Sequence, residues 1–339
     1  MPSPVRTLGK NGPQVNAVGL GLMSLGGMYG SAGSLDGKVA FLDHAHATGQ
    51  RFWDTADMYL DSEDVVGEWI KRNPGKRDDI FLATKFGIQY TPGSPHTIRS
   101  DPEYVKEACE KSLKRLGVET IDLYYCHRVD GVTPVEKTIE AMVELKRRGK
   151  IRYLGISEAS SATLRRAHAV HPISAQQIEY SAFALDIESS TNDVLKTCRE
   201  LGITVVAYSP IGRGVLTGQI QSLDDIPEDD FRRWLPKYSK ENFPKIVELA
   251  QGFQNVAKAH GCTAGQVAIA WLLAQGSDVI PLPGTKSIGR MDENANSALV
   301  ELTDKEVQDL RDLAERSEIA GDRYAASMVN FTLSETPPL

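Results

Sequence analysis

The sequence is short of several features that would each point to a function. Its four cysteines, Cys109, Cys126, Cys198 and Cys262, stand far apart, and no two form a C-x-x-C pair. Zinc-ribbon and thioredoxin-like chemistry therefore fall away, and a reduced, cytoplasmic chain is expected. No apolar run reaches the roughly eighteen residues that a membrane-spanning helix needs, so no membrane association is expected. The opening MPSPVRTLGK has no apolar h-region, so no secretory leader is expected either. A basic excess is also missing: 38 Lys and Arg face 45 Asp and Glu, a formal net charge of -7. That balance argues against a broad nucleic-acid surface, though a local basic cluster could still hold an anionic cofactor. The seven histidines are scattered and gather into no ligand spacing, so no metal is expected.

The usual nucleotide fingerprints are absent too. Gly19-Leu20-Gly21 begins like G-x-G-x-x-G, but Ser24 stands where the third glycine belongs. No tyrosine has a lysine four residues on, and GTKS lacks the spacing of a phosphate-binding P-loop.

What the chain does have is a recurring unit: an amphipathic helix, a glycine, then a short apolar strand. It appears as HATG-QRFWD, KRLG-VETIDLYY, KRRG-KIRYLGIS, RELG-ITVVAYS and LAQG-SDVIPLP. The glycines Gly49, Gly117, Gly149, Gly202 and Gly276 suit the left-handed residue that closes a helix. The strands are apolar throughout rather than alternating, as in parallel strands covered on both faces. Helix starts are marked by Asp101-Pro102 and by expected capping boxes at Thr133/Glu136, Thr263/Gln266 and Thr303/Glu306.

Strands are expected near residues 18–22, 51–54, 80–84, 121–126, 152–156, 174–178, 203–207 and 279–282. Eight strands alternating with helices allow a doubly wound sheet or a closed barrel, and the count favours the α/β class as a (β/α)8 TIM barrel. An N-terminal β-hairpin precedes it, a long loop from Gly212 to Phe243 follows strand seven, and a C-terminal tail ends the chain. No linker divides the sequence, so residues 1–339 are expected to form a single barrel domain.

Barrel enzymes build their sites at the C-terminal ends of the strands. There the sequence places Asp54 with Tyr59 beyond it, then Lys85, His127, Ser157, Gln177 and Tyr208-Ser209. Asp54, Tyr59, Lys85 and His127 suggest proton donation to a carbonyl. A tyrosine has a pKa of about 10, and the expectation is that Lys85, held charged by Asp54, lowers it, while His127 orients the substrate oxygen. Such a reaction needs a hydride carrier, and PLPGTKSIGRMDEN after the last strand offers an anion site. Backbone N–H groups from Gly284 to Ser287 lead into a helix, and Lys286 and Arg290 suit the 2′-phosphate of NADPH.

With these residues in view, the sequence resembles the aldo-keto reductase superfamily over nearly its full length, in the branch of pyridoxal reductases and broad aldehyde reductases. The blocks that carry the likeness are VGLGLMSLGG, FWDTADMY, LATKFG, DLYYCHRVD, GISEAS, QQIEYSAF, VVAYSPIGRGVLTG and IPLPGTKSIGRMDEN. The resemblance implies a catalytic tetrad of Asp54, Tyr59, Lys85 and His127. It implies that Ser157 and Gln177 hold the nicotinamide carboxamide and that Tyr208 stacks on the ring. Ser209, Ile211 and Gly212 would line the pyrophosphate, with Gly284, Thr285, Lys286 and Arg290 at the adenosine phosphate and Glu293 and Asn294 at the adenine. Met23 is counted with these cofactor contacts. Many members have asparagine after the serine, where this chain has Glu158, which can accept from a carboxamide but cannot donate.

A substrate wall is expected from Tyr29, Trp53, Tyr90 and Trp234, with Met28, Phe231 and residues 324–331 of the tail nearby, which favours carbonyl compounds with a flat or apolar body. The expected partner is thus a small-molecule carbonyl substrate, on a monomer or weak homo-oligomer. Two other functions compete: an isomerase or aldolase on the same barrel, and a nucleotide-sensing regulatory subunit of the potassium-channel β type.

Overall fold

The computed structural model describes residues 4–28, 33–89, 96–325 and 332–339. Tyr29 and Tyr90 lie outside the described residues, as do residues 326–331 of the tail.

Eight parallel strands follow one another around the molecule in chain order: Leu20–Gly21, Phe52–Asp54, Phe81–Phe86, Ile121–Cys126, Ile151–Ser157, Ala175–Glu179, Thr204–Tyr208 and Val279–Leu282. The ring closes between the last and the first. Gly19 N donates to Pro281 O at 2.9 Å, Gly21 N donates to Pro283 O at 3.0 Å, and Gly21 bridges Gly284 in parallel. Helices pack outside, among them Leu35–Ala47, Ser62–Arg72, Pro102–Leu116 and Val135–Arg147. This is the (β/α)8 barrel expected from the strand count.

The apolar strands divide their side chains between two cores, because successive residues of a strand face opposite sides. Phe52, Ala83, Leu123, Tyr125, Ala175, Val206, Ile280 and Leu282 fill the barrel interior. Their neighbours, such as Trp53, Leu82, Tyr124 and Val205, pack outward against the helices. A hairpin pairing Val5–Thr7 with Gln14–Asn16 floors the barrel, placing Leu8 and Val15 in the interior core. Interior volume is shared out tightly: a Cβ on Gly155 would lie 2.3 Å from the Tyr125 ring, whose residue pairs with it across the sheet. A glycine there is what gives the tyrosine its space.

Local signals mostly act as expected. Gly117 and Gly202 close their helices at φ of +65° and +69°. Asp101 caps its helix by accepting from Tyr104 N at 3.0 Å, and the boxes at Thr263/Gln266 and Thr303/Glu306 are formed. The box at Thr133/Glu136 is not. Asp130 accepts from the Val132 and Thr133 amides ahead of the helix, and Glu136 is drawn to Arg166. A guanidinium offers a stronger partner to a carboxylate than a lone amide does.

After the seventh strand the chain runs through short 3-10 turns, Gly212–Thr217, Leu223–Asp225, Phe231–Trp234 and Pro236–Tyr238, before the helix Phe243–His260. Among the described residues, no helix is long and apolar enough to cross a membrane.

Candidate active site

The same in-out alternation that builds the cores decides which side chains reach the mouth. Asp54 ends the second strand facing inward, and Gln177 on the sixth strand reaches it, donating from Nε2 to Oδ2 at 2.8 Å. Trp53, one residue earlier, must face the other way. It is fully buried against Trp69, with ring centroids 4.7 Å apart, and its Nε1–H donates to Gln50 O at 2.7 Å. The expectation that Trp53 walls the substrate pocket is therefore corrected: strand pleating turns it into the helix layer.

Beyond Asp54 the backbone folds into tight turns that bring Tyr59 back over the strand ends. Asp57 N donates to Lys85 O at 3.0 Å and Tyr59 N to Ala56 O at 3.1 Å. Gly26 makes room for this loop, since a Cβ there would sit 2.2 Å from Tyr59 O. Lys85, wholly buried near the end of the third strand, donates to Asp54 Oδ1, to Thr55 O at 2.7 Å and to the Tyr59 hydroxyl at 3.3 Å. His127 follows the fourth strand, its N donating to Phe86 O at 2.7 Å, and its ring stands edge-on to Tyr59 with centroids 5.8 Å apart. The four residues expected to form a tetrad thus converge on one buried spot.

Their electrostatics differ from the sequence expectation in one respect. Burial raises the Tyr59 pKa, and the opposing Lys85 charge only partly offsets it, so the phenol ends above its ordinary value rather than below it. The sequence offers the lysine but not the degree of desolvation. Burial also pulls against the Lys85 ammonium, but Asp54 and Tyr59 outweigh it and hold Lys85 above its usual range. Burial pushes the Asp54 carboxyl up against the pull of Lys85 and Gln177. His127 is driven well below its ordinary pKa by burial and then by Arg128 and Lys85, so its imidazole is neutral. A proton-bearing phenol beside a fixed ammonium and a neutral imidazole can hand a proton to an oxygen without either neighbour competing for it.

Around this spot lie the residues expected at a nicotinamide. Ser157 is buried at the end of the fifth strand, and its Oγ accepts from Arg128 Nη1 at 3.0 Å. With a donor already pointing at it, that hydroxyl keeps its own hydrogen to give. Gln177 has its amide nitrogen committed to Asp54, which leaves its carbonyl oxygen as an acceptor. Tyr208 closes the seventh strand, and left-handed turns at Ser209 and Gly212 follow, with Gly212 N donating to Ser209 O at 2.9 Å and Ile211 between them.

The expected phosphate end is built quite differently. Gly284 sits beside the first strand, its missing Cβ 3.5 Å from Gly21 O, with Met23 half-buried in the adjoining turn. The Thr285 hydroxyl accepts from Ser287 N at 3.0 Å, and Ser287 caps the helix Ile288–Asn296. Lys286 and Arg290 are exposed on that helix start. Glu293 accepts from the Thr263 hydroxyl at 2.5 Å, and Asn294 is half-buried beside it in sequence.

Arg128 and Arg323 were not singled out from sequence. Arg128 is buried and donates to His127 O and Ser157 Oγ, and its Nε has no partner among the described residues. Its place directly after His127 was the available signal. Glu158 is wholly buried, and both of its oxygens are bound by Arg323, with Tyr208 sharing one of them. Of the expected substrate wall, Trp234 is 64% exposed, so its ring stands mostly in solvent.

A closed parallel barrel carrying a buried Asp-Lys-Tyr-His cluster at its mouth is an aldo/keto reductase arrangement, and the family's sequence pattern matches residues 17–315. The chain belongs to the aldo/keto reductase family and is an oxidoreductase. It is similar to the Aldo-keto reductase str7 of Strobilurus tenacellus, 52% identical over 330 residues that cover 96% of each chain. It is 45% identical over 342 residues to the Aldo-keto reductase yakc [NADP(+)] of Schizosaccharomyces pombe, covering 100% of this chain and 99% of that one. Among solved structures it resembles the glycerol dehydrogenase AKR11B4 from Gluconobacter oxydans, at a TM-score of 0.82 and 29% identity over 94% of this chain and 97% of that one. A thermostable aldo-keto reductase solved with the inhibitor epalrestat gives a TM-score of 0.74 at 27% identity, covering 91% of this chain and 99% of that one.

Proposed function

We propose that this chain reduces an aldehyde or ketone to the alcohol with NADPH, Tyr59 giving the proton to the carbonyl oxygen. The observation that carries the reading is the Tyr59 hydroxyl held 3.3 Å from the buried Lys85 ammonium, beside a neutral His127. The residues present fit the cofactor. Ser157 and Gln177 offer one donor and one acceptor to a carboxamide, and Tyr208 offers a ring face. Gly284 with Thr285 and the capped helix start offers backbone N–H groups to a phosphate, and exposed Lys286 and Arg290 add the charge that a 2′-phosphate selects for. Ser209, Ile211, Gly212 and Met23 lie between these ends, and Glu293 and Asn294 lie beyond the phosphate.

Bound NADPH supplies the hydride. The protein's own share is to place and discharge one proton. His127, neutral, holds its N–H toward the carbonyl oxygen and orients it. As charge grows on that oxygen, the Tyr59 O–H transfers its proton there, and the new phenolate is met by Lys85 without any movement of charge from solvent. Asp54, tied by Lys85 and Gln177, keeps the ammonium in place. The raised resting pKa of Tyr59 keeps the proton on the enzyme until the substrate oxygen asks for it.

The test is turnover. Purified protein with NADPH and an aromatic aldehyde should lose nicotinamide absorbance in step with alcohol formed. Tight NADPH binding with no turnover across aromatic, pyridoxal and sugar aldehydes would instead favour a nucleotide-sensing subunit.

A further inference from the structure

Glu158 stands where the family resemblance places an asparagine, and its backbone makes the exchange unfavourable. Its φ of +51° lies in the left-handed region, which asparagine enters more readily than glutamate. The side chain is wholly buried at the mouth of the barrel, where a carboxylate persists only if it is paired and hydrogen-bonded. Its Oε1 accepts from Arg323 Nη1 at 2.8 Å, from the Tyr208 hydroxyl at 2.7 Å and from Glu179 N at 3.2 Å, while Oε2 accepts from Arg323 Nη2 at 2.8 Å. Arg323 is itself buried and comes from the C-terminal tail. The next tail residue, Tyr324, has its hydroxyl 3.1 Å from that of Tyr208, and its ring lies 4.8 Å from the Arg213 guanidinium. The main chain adds a second clasp further along the tail: Ser334 N donates to Glu158 O at 2.9 Å and Ser160 N donates to Ser334 O at 3.1 Å. One residue therefore grips the tail at two places and a cofactor-site tyrosine at a third.

We propose that Glu158 is a positioning residue that fastens the C-terminal tail through Arg323 and holds the Tyr208 hydroxyl, so that the Tyr208 ring is a fixed platform for the nicotinamide. The platform half rests on the NADPH reading above; the fastening half does not. An asparagine here would present one uncharged acceptor, leaving the buried Arg323 guanidinium with Glu179, 3.6 Å away, as its countercharge among the described residues. The carboxamide loses nothing by the exchange, since Ser157 and Gln177 already supply a donor and an acceptor. Burial works to raise the Glu158 carboxyl, but Arg323 and then Arg128 overcome it and hold it down at about 2, so the pair is ionised at neutral pH.

The experiment uses the full chain carrying Glu158→Gln, Arg323→Gln, or both. Without nucleotide, hydrogen exchange at the Ser334 and Ser160 amides should quicken about tenfold or more in each single variant, while amides in the barrel strands keep their protection. With NADPH, followed by its fluorescence, each single change should raise Kd by about tenfold, the scale of a lost hydrogen bond to a charged group. Glu158→Gln combined with Tyr208→Phe should cost no more than the worse single change, the mark of one shared contact. Unchanged exchange at Ser334 in Glu158→Gln overturns the fastening, and additive losses with Tyr208→Phe overturn the platform. Should Glu158→Gln fail to fold, Arg323→Lys keeps the charge but gives up the two-pronged geometry and is read in the same two ways. If the unaltered chain binds no NADPH, the functional reading fails, and the exchange data still decide the fastening.

Discussion

Lys85 and the pair Lys286 and Arg290 stand at the same end of one barrel in opposite surroundings. Lys85 has no exposed surface and is held by Asp54, a backbone carbonyl and Tyr59. Lys286 and Arg290 lie exposed at a helix start. The buried charge is costly to create and cannot relax, so it suits a group that must be in place before the substrate arrives. The exposed charges cost almost nothing to create and are weakened by salt. One cation is thus fixed within the barrel, and the other two stand at its surface.

Breaking the buried side should have the largest effect. Lys85→Met would strand the Asp54 carboxylate, and a loss of about 3–5 kcal/mol of stability is expected in urea unfolding, together with loss of reduction. A variant that kept both its unfolding midpoint and its turnover would undo the contrast. Next comes Tyr59→Phe, which should lower kcat by about 10²–10⁴-fold and leave the NADPH Kd within a few-fold. If turnover survives, the proton comes from elsewhere.

The exposed side should respond more gently. Lys286→Ala with Arg290→Ala is expected to weaken NADPH by about tenfold or more and NADH much less, with no change in unfolding midpoint. Raising salt to about 1 M should shrink the difference between the two cofactors. Equal losses for both would show that the 2′-phosphate is read elsewhere.

The smallest effect is expected at Asp57, in the loop between Asp54 and Tyr59, where Oδ1 is buried without a partner among the described residues. Burial and then Glu63 push its pKa up to about 8 in the folded chain, against 3.8 for a free aspartate. The folded state keeps a proton that the unfolded chain releases. This residue's contribution to stability is therefore intact below about pH 4 and is lost progressively as pH rises to about 8. Asp57→Asn should flatten that decline, and thermal midpoints measured from pH 5 to pH 9 will show it as a shift of a few degrees. Parallel curves for the two proteins would mean that Asp57 is already ionised in the folded chain.

The reach of sequence reading can be judged from particular residues. Strands at 121–126 and 279–282 were legible to the residue, because long apolar runs between glycine and turn signals leave little freedom. The convergence of Asp54, Tyr59, Lys85 and His127 was legible because three of them stand at or just past strand ends and Tyr59 in the loop beyond one, and a barrel brings those ends together. Trp53 was not, since which side a strand residue faces depends on pairing and register rather than on its own type. The box at Thr133 was not, because Glu136 is drawn to Arg166, a partner thirty residues away. The acidity of Tyr59 needed a quantity that sequence does not carry, the depth of burial. Glu158 and Arg323 lie 165 residues apart, and neither announces the other.

The bare Cα of residue 155 has an effect on the rest of its row. Lys85 pairs with Tyr125, and Tyr125 with Gly155, along one rung of the sheet. A single methyl at 155 would have to displace an aromatic ring that abuts the strand carrying Lys85. Deep mutational scanning should therefore find position 155 nearly intolerant of alanine, though it lies outside the reacting cluster. Any redesign of this barrel for a new substrate would have to treat that rung as one unit.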